Sequence, residues 1–205
     1  MQKGSLSILL IFQTVLLFAQ ETDYSPEKAL WYQGKVTFKN GNSFTGLISY
    51  NQDFDAVYYE FEGEVKTLTP KMLQGFSFVN PQNQMRHVFA SYPDRTVSGY
   101  TRDRFFEQIV TGYCDIIRIN NFVYILTLDN QVQRLKTQDE SEYYFFVDDR
   151  LIEIEKFQRQ IFDIYPLSKK EISEYIENEG LDLKKRDDQV LLVVYLNELM
   201  EESAN

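Results

Sequence analysis

The sequence predicts an α+β protein: an antiparallel β-rich body of about ten strands, a sandwich or open barrel, followed by about three C-terminal helices. Three observations carry this expectation. Short runs of alternating apolar and polar residues, separated by turn pairs, repeat from Gly34 to about residue 155. Aromatic residues make up 15% of the chain, as 14 Tyr, 16 Phe and one Trp, and such side chains suit a pleated surface. After residue 155 the apolar period changes from two to about 3.6.

The expected organisation has three parts: a signal peptide at 1–19, a β-rich region at 20–155 and a helical region at 156–205. Lys3 supplies a positive start, and residues 6–19 form an apolar run broken only by Ser7, Gln13 and Thr14. The run closes on Leu17-Phe18-Ala19, before the polar Gln20-Glu21-Thr22-Asp23. That layout predicts export with cleavage near Ala19/Gln20. The run is shorter than the ~20 apolar residues that span a bilayer, so no transmembrane segment is expected after cleavage. No cysteine lies near the junction, which argues against a lipid anchor.

Strands are expected in sequence. Residues 34–39 alternate, Asn40-Gly41 follows, and 43–50 resumes the pattern. An Asn-Gly pair so placed predicts a type I′ hairpin, which needs positive φ at both residues. Residues 56–62 and 64–69 flank Gly63, and 75–79 pairs with 85–92 across Asn80-Pro81-Gln82-Asn83. Residues 93–103 read as a long polar loop, either functional or merely connecting. Strands resume at 105–111, 113–120, 122–128 and 132–136, with turns at Asn120-Asn121 and Asp129-Asn130. A final hairpin joins 142–147 to 150–154 through Asp148-Asp149.

The helical signals are local. Phe157, Ile161 and Ile164 share a face that stops before Pro166. Ser168-Lys169-Lys170-Glu171 forms a capping box, and Gly180 ends that helix. A third helix starts near Asp187, and Val190, Leu191, Val193, Val194, Leu196 and Leu199 predict that it is largely buried. The three helices are expected to form a layer on the sheet or a small appended bundle.

Composition excludes several chemistries. The net charge is −10, or −11 once Lys3 leaves with the signal, so nucleic acid and anionic membrane are poor partners. Cys114 stands alone and cannot form an internal disulfide; it reads as a small buried strand residue. His87 is the one histidine, read as a strand-surface residue, since a triad needs a base held by a third group. One Cys and one His do not make a zinc site. Gln138-Asp139-Glu140 does not match a calcium loop, and no phosphate-binding glycine motif occurs. No cofactor, metal or catalytic residue is therefore assigned.

Carboxylate pairs of glycosidase type are the remaining catalytic option. Candidates are Asp53/Asp55 and Asp148/Asp149 in turns, and Glu153/Glu155 on one strand face. Tyr58-Tyr59 and Tyr143-Tyr144 place one ring on each sheet face. One ring of each pair belongs to the core, and the other is packing or a ligand platform.

Several stretches together resemble a family of uncharacterised exported proteins common in Bacteroidota. They are Gly34-Lys35-Val36-Thr37 through Asn40-Gly41 to Gly46-Leu47-Ile48-Ser49-Tyr50, and Val65-Lys66-Thr67-Leu68-Thr69-Pro70-Lys71 leading to Gln74-Gly75-Phe76. Phe105-Phe106 with Val110, Gly112 and Ile116, then Tyr143-Tyr144-Phe145, and finally Tyr195-Leu196-Asn197 complete the set. Leu196 separates an aromatic–Asn pair that the family has adjacent. The resemblance implies export and a β-then-α layout; it implies no activity and no site residues.

The sequence thus points to a soluble exported protein, periplasmic or extracellular, that acts by binding or structure rather than catalysis, with an unknown protein or envelope component as partner. Two alternatives stand beside it: a carboxylate-based hydrolase of an envelope glycan, and a carrier of a small hydrophobic ligand.

Overall fold

The computed structural model describes residues 30–94, 100–120, 123–126, 132–135 and 141–204. The expected signal peptide, the Asp129-Asn130 turn and Gln138-Asp139-Glu140 lie outside these residues. Ten strands form one antiparallel open sheet, and three C-terminal helices follow it. The strands are β1 (Tyr32–Phe38), β2 (Ser43–Asn51), β3 (Ala56–Phe61), β4 (Glu64–Leu68), β5 (Leu73–Val79), β6 (Arg86–Asp94), β7 (Arg102–Val110) and β8 (Asp115–Asn120). β9 (Val123–Leu126) and β10 (Val132–Leu135) form a separate ribbon, and β11 (Ser141–Val147) and β12 (Arg150–Glu153) complete the sheet. Its order is β12-β11-β8-β7-β6-β5-β1-β2-β3-β4. The helices are α1 (Phe157–Ile164), α2 (Lys169–Glu179) and α3 (Arg186–Ala204).

The sheet curls strongly. β2 and β7 are four strand spacings apart, roughly 19 Å in a flat sheet. Yet the Tyr50 ring of β2 lies 6.0 Å from the Phe105 ring of β7, and about as close to Phe76 and Phe89. The first half therefore rolls around a core that includes Val36, Ile48, Val57, Leu68 and Leu73. Phe76 stacks on Phe89 at 4.6 Å within it. Side chains close the roll where no ladder does. Asp55, in the β2–β3 turn, accepts the Phe105 backbone N–H at 3.2 Å, and the Tyr50 hydroxyl donates to it as well. Ser91 Oγ donates to the Pro70 carbonyl, and Lys39 pairs with Asp103.

The helices cover the same face at the other end of the sheet. Ile116, Phe145, Val147 and Ile152 from strands share one core with Phe157, Ile161, Ile172, Leu192 and Leu196. Burying each such side chain contributes about 1.5–3 kcal/mol. The layer arrangement follows, since strands and helices have this core in common. On the opposite face Tyr92, Phe106, Ile117 and Ile119 make a third cluster with Tyr144 and Phe146.

Local chemistry explains most boundaries. Both halves of the Ser168 capping box are present, and Gly180 ends α2 at φ +64°. Leu181 N–H then reaches the Ile176 carbonyl, which completes a Schellman closure. Tyr165, before Pro166, is extended and ends α1.

Four expectations need correction. At Asn40-Gly41 only Gly41 has positive φ, and Phe38 N–H bonds the Asn42 carbonyl, so the hairpin is a type I turn with a glycine bulge. Positive φ at both centres occurs instead at Glu62-Gly63 and Asp148-Asp149. The 93–103 loop is shorter than expected, because β6 continues through Pro93, paired with Asp103. β5 has already ended there, so proline's missing N–H is tolerated. Cys114 is buried but precedes β8 in a bend. Finally, α3 buries Leu192, Val193 and Leu196 while Leu191 and Val194 face outward, since a helix on a sheet covers one stripe only.

Asn197 joins the helical layer to that bend. Its Oδ1 accepts from Cys114 N–H at 3.0 Å and from the Tyr165 hydroxyl at 2.9 Å, and its Nδ2 donates to the Cys114 carbonyl at 2.9 Å. A Cβ at Gly112 would meet Asn197 Nδ2 at 2.4 Å, so the close approach needs glycine. Asn197→Ala strands both backbone groups of Cys114 and is expected to cost about 3 kcal/mol in urea unfolding. A loss below about 0.5 kcal/mol would show that these bonds do not hold the layer.

Candidate functional site

The sequence candidates disperse. Cys114 is fully buried, and burial pushes its thiol up to about 12. Asp53 is exposed in the turn that carries Asp55, while Asp55 is committed to Phe105 and Tyr50. Asp148 and Asp149 are exposed at the β11–β12 turn. Glu153 ends β12 but Glu155 lies in a 3-10 turn, so the two do not share a strand face. Tyr59 is core and its hydroxyl donates to the Thr45 carbonyl. Tyr143 packs towards the helices and Tyr144 towards the third cluster. The roll, where a hydrophobic ligand would sit, is occupied by ring-on-ring contacts.

His87 departs from the expected strand-surface histidine. It is half-buried, stacks on Phe78 at 5.2 Å, and its Nδ1 lies 2.6 Å from Glu107 Oε1. Arg118 Nε donates to the other oxygen, Oε2, at 2.8 Å, and its Nη1 donates to the Tyr143 hydroxyl. Arg186 of α3 covers the Tyr143 ring at 4.1 Å. Glu107 pairs directly with Arg118, and Arg118 with Tyr143, so all three share the face of the two cores. The row separates the roll from the helical layer. Burial works against the Arg118 charge, but Glu107 and Tyr143 outweigh it.

Glu107 is not among the sequence candidates, although a signal exists. Phe105 and Glu107 are two apart on one strand, so a core-facing phenylalanine puts the carboxylate on the buried face. The row is internally compensated: one buried carboxylate, seven per cent exposed at its side chain, is held by a guanidinium and an imidazole. Among the described residues no group of three or more His, Cys, Asp or Glu could hold a metal ion.

The opposite face carries an open groove of about 300 Å³ across β1, β5, β6 and β7. Its floor is small: Gly75 lies opposite Ala90, and Ser77 lies beside them. A Cβ at Gly75 would fall 2.3 Å from the Phe89 carbonyl oxygen, so only glycine fits and the floor stays open. Lys35, Thr37, Arg86 and Gln108 form the rim. Lys35 and Arg86 are exposed, and among the described residues neither meets a carboxylate within 4.0 Å. Gln108 is fixed by a bond from its Nε2 to the Tyr92 hydroxyl.

A second cavity, about 380 Å³, opens beside the start of α3, but there Glu155 stands among Lys184 and Arg186. The groove thus brings two exposed cationic side chains without a carboxylate partner to one depression of an acidic chain, while Lys66, Lys71, Lys184 and Lys185 stand likewise elsewhere on the described surface. No helix among the described residues is long and apolar enough to cross a membrane. Comparison with protein-family models, curated proteins and solved structures finds no match.

Two outcomes follow. Cys114 should resist an exposed-thiol reagent in the native protein and react fully in denaturant; rapid native labelling would contradict its burial. Burial raises the Asp55 carboxyl above its usual range, despite the Phe105 and Tyr50 bonds that lower it. A carboxyl raised on folding costs stability as pH climbs through and above the usual carboxylate range. Relative to Asp55→Asn, the wild type should therefore lose unfolding free energy over a pH window that opens at the ordinary aspartate value of about 4 and extends upward. A difference that stays flat across that window would rule out this linkage.

Proposed function

We propose that this chain is an exported protein that acts by binding an envelope component rather than by catalysis, using the groove across β1, β5, β6 and β7. The observation that carries the reading is the pair of uncommitted cations, Lys35 and Arg86, over a floor of small residues. Two exposed cations at the rim of one cleft, in a chain that is acidic overall, offer a local positive site to an anionic group. Export rests on the pattern of residues 1–19 and on the resemblance to exported proteins of Bacteroidota.

Immobilised protein should retain an envelope component that a Lys35→Gln/Arg86→Gln variant of equal thermal stability releases. Equal retention by both would overturn the groove. Mass analysis of the exported protein should give an N-terminus at Gln20, whereas an intact Met1 would overturn the export reading.

A second reading, a hydrolase of an envelope glycan, is favoured by a different observation. Glu107 holds His87 Nδ1 at 2.6 Å, the arrangement that orients a histidine general base. It takes the place of the carboxylate pairs that sequence alone suggests. On that reading His87→Gln abolishes turnover and leaves retention unchanged.

A further inference from the structure

The groove has features beyond its charge. Its two cations differ in position. Lys35 lies opposite Ser77, Ser77 opposite Val88, and Arg86 two residues along β6. Sheet spacing puts the two Cα atoms roughly 12 Å apart, on neighbouring rows across three strands. Between and beside them stand neutral hydrogen-bonding groups: the Ser77 hydroxyl, the Thr37 hydroxyl, which also bonds Ser43 Oγ at 3.0 Å, and the Gln108 amide, whose Oε1 remains beside the Nε2 that bonds Tyr92. The volume, about 300 Å³, lies at the low end for small-ligand sites.

A long polyanion is disfavoured, because the chain as a whole carries −10 and repels repeated negative charge. A single compact anion leaves the Ser77 hydroxyl and the Gln108 Oε1 unused. A flat molecule rich in hydroxyls, with two separated anionic groups, uses every rim side chain. Small floor residues let its face lie close to the sheet.

We infer that the groove binds a short acidic saccharide, with Lys35 and Arg86 each taking a carboxylate and Thr37, Ser77 and Gln108 bonding ring hydroxyls. This rests on the reading of the chain as a binding protein that uses this groove, and it adds the ligand class. Arg86 can hold its carboxylate through two parallel N–H bonds, while Lys35 acts as a point charge. Both lie on an exposed face, so their replacement leaves the cores intact.

Calorimetric titration of the full chain with digalacturonate is the test, alongside the neutral disaccharide maltose and inorganic sulfate. Saturable binding of digalacturonate is expected, weakened about tenfold or more by Lys35→Gln and again by Arg86→Gln. Thr37→Ala and Ser77→Ala should weaken it further, maltose should bind far more weakly, and high salt should abolish the difference between the two sugars. Sulfate that binds as tightly as digalacturonate would overturn the saccharide assignment in favour of a bare anion site. Absence of digalacturonate binding, or binding that ignores Lys35 and Arg86, would overturn it as well. If envelope retention still depends on Lys35 and Arg86 in that case, the ligand class fails while the groove's binding role survives. Retention that does not depend on them removes both.

Discussion

One buried carboxylate organises the large face of this sheet. A ten-stranded sheet offers more apolar surface than three short helices can cover, and the uncovered part must be buried in another way. Here the first strands roll upon themselves while α1, α2 and α3 cover the last ones. Glu107 stands where the two solutions meet. A carboxylate removed from water costs several kcal/mol unless it is paired and hydrogen-bonded. The bonds to His87 and Arg118 meet that need and tie β6, β7 and β8 together at the boundary. Tyr143 and Arg186 extend the row as far as α3.

Each core then has its own closure. Asp55 and Ser91 bond backbone groups across the roll, so the curl does not depend on ring packing alone. Asn197 does the same for the helical side, meeting the N–H and C=O of Cys114 as a neighbouring strand would. In both places a side chain far away in sequence satisfies backbone that the ladder leaves open. The result is a sheet whose charged outer strands, β12 and β4, pair on one side only, and whose interior strands are well anchored. The solvent side of β1, β5 and β6 is left free for the groove.

The helical end is legible in the sequence because its signals are short-range. Ser168, Glu171 and Gly180 act within one or two turns of the residues they cap. The strands are legible for a similar reason, since Phe76, Phe78, Phe89 and Phe105 mark one face by alternation alone. The roll is not legible, because the meeting of Tyr50 with Phe105 depends on how far five strands twist together. Pro93 misleads for the opposite reason: proline suggests a break, yet past the end of β5 it costs the strand nothing. Lys35 and Arg86 become neighbours only through the β1–β5–β6 register, which no local pattern encodes. Glu107 lies between these cases: its place on a buried face can be read, but not its partners.

The groove and the polar row sit on opposite faces of the same strands, and β6 and β7 contribute to both. The row ties these strands together beneath the groove, the support that the proposed binding surface requires. The most direct test of the account is a double-mutant cycle in urea on Glu107→Leu and Arg118→Met. Glu107→Leu alone should lose about 3 kcal/mol by leaving the guanidinium without its carboxylate. The double variant should recover much of this, with a coupling of at least about 1 kcal/mol. A Glu107→Leu protein as stable as the wild type, or strictly additive effects, would contradict the claim that this pair holds the two cores together.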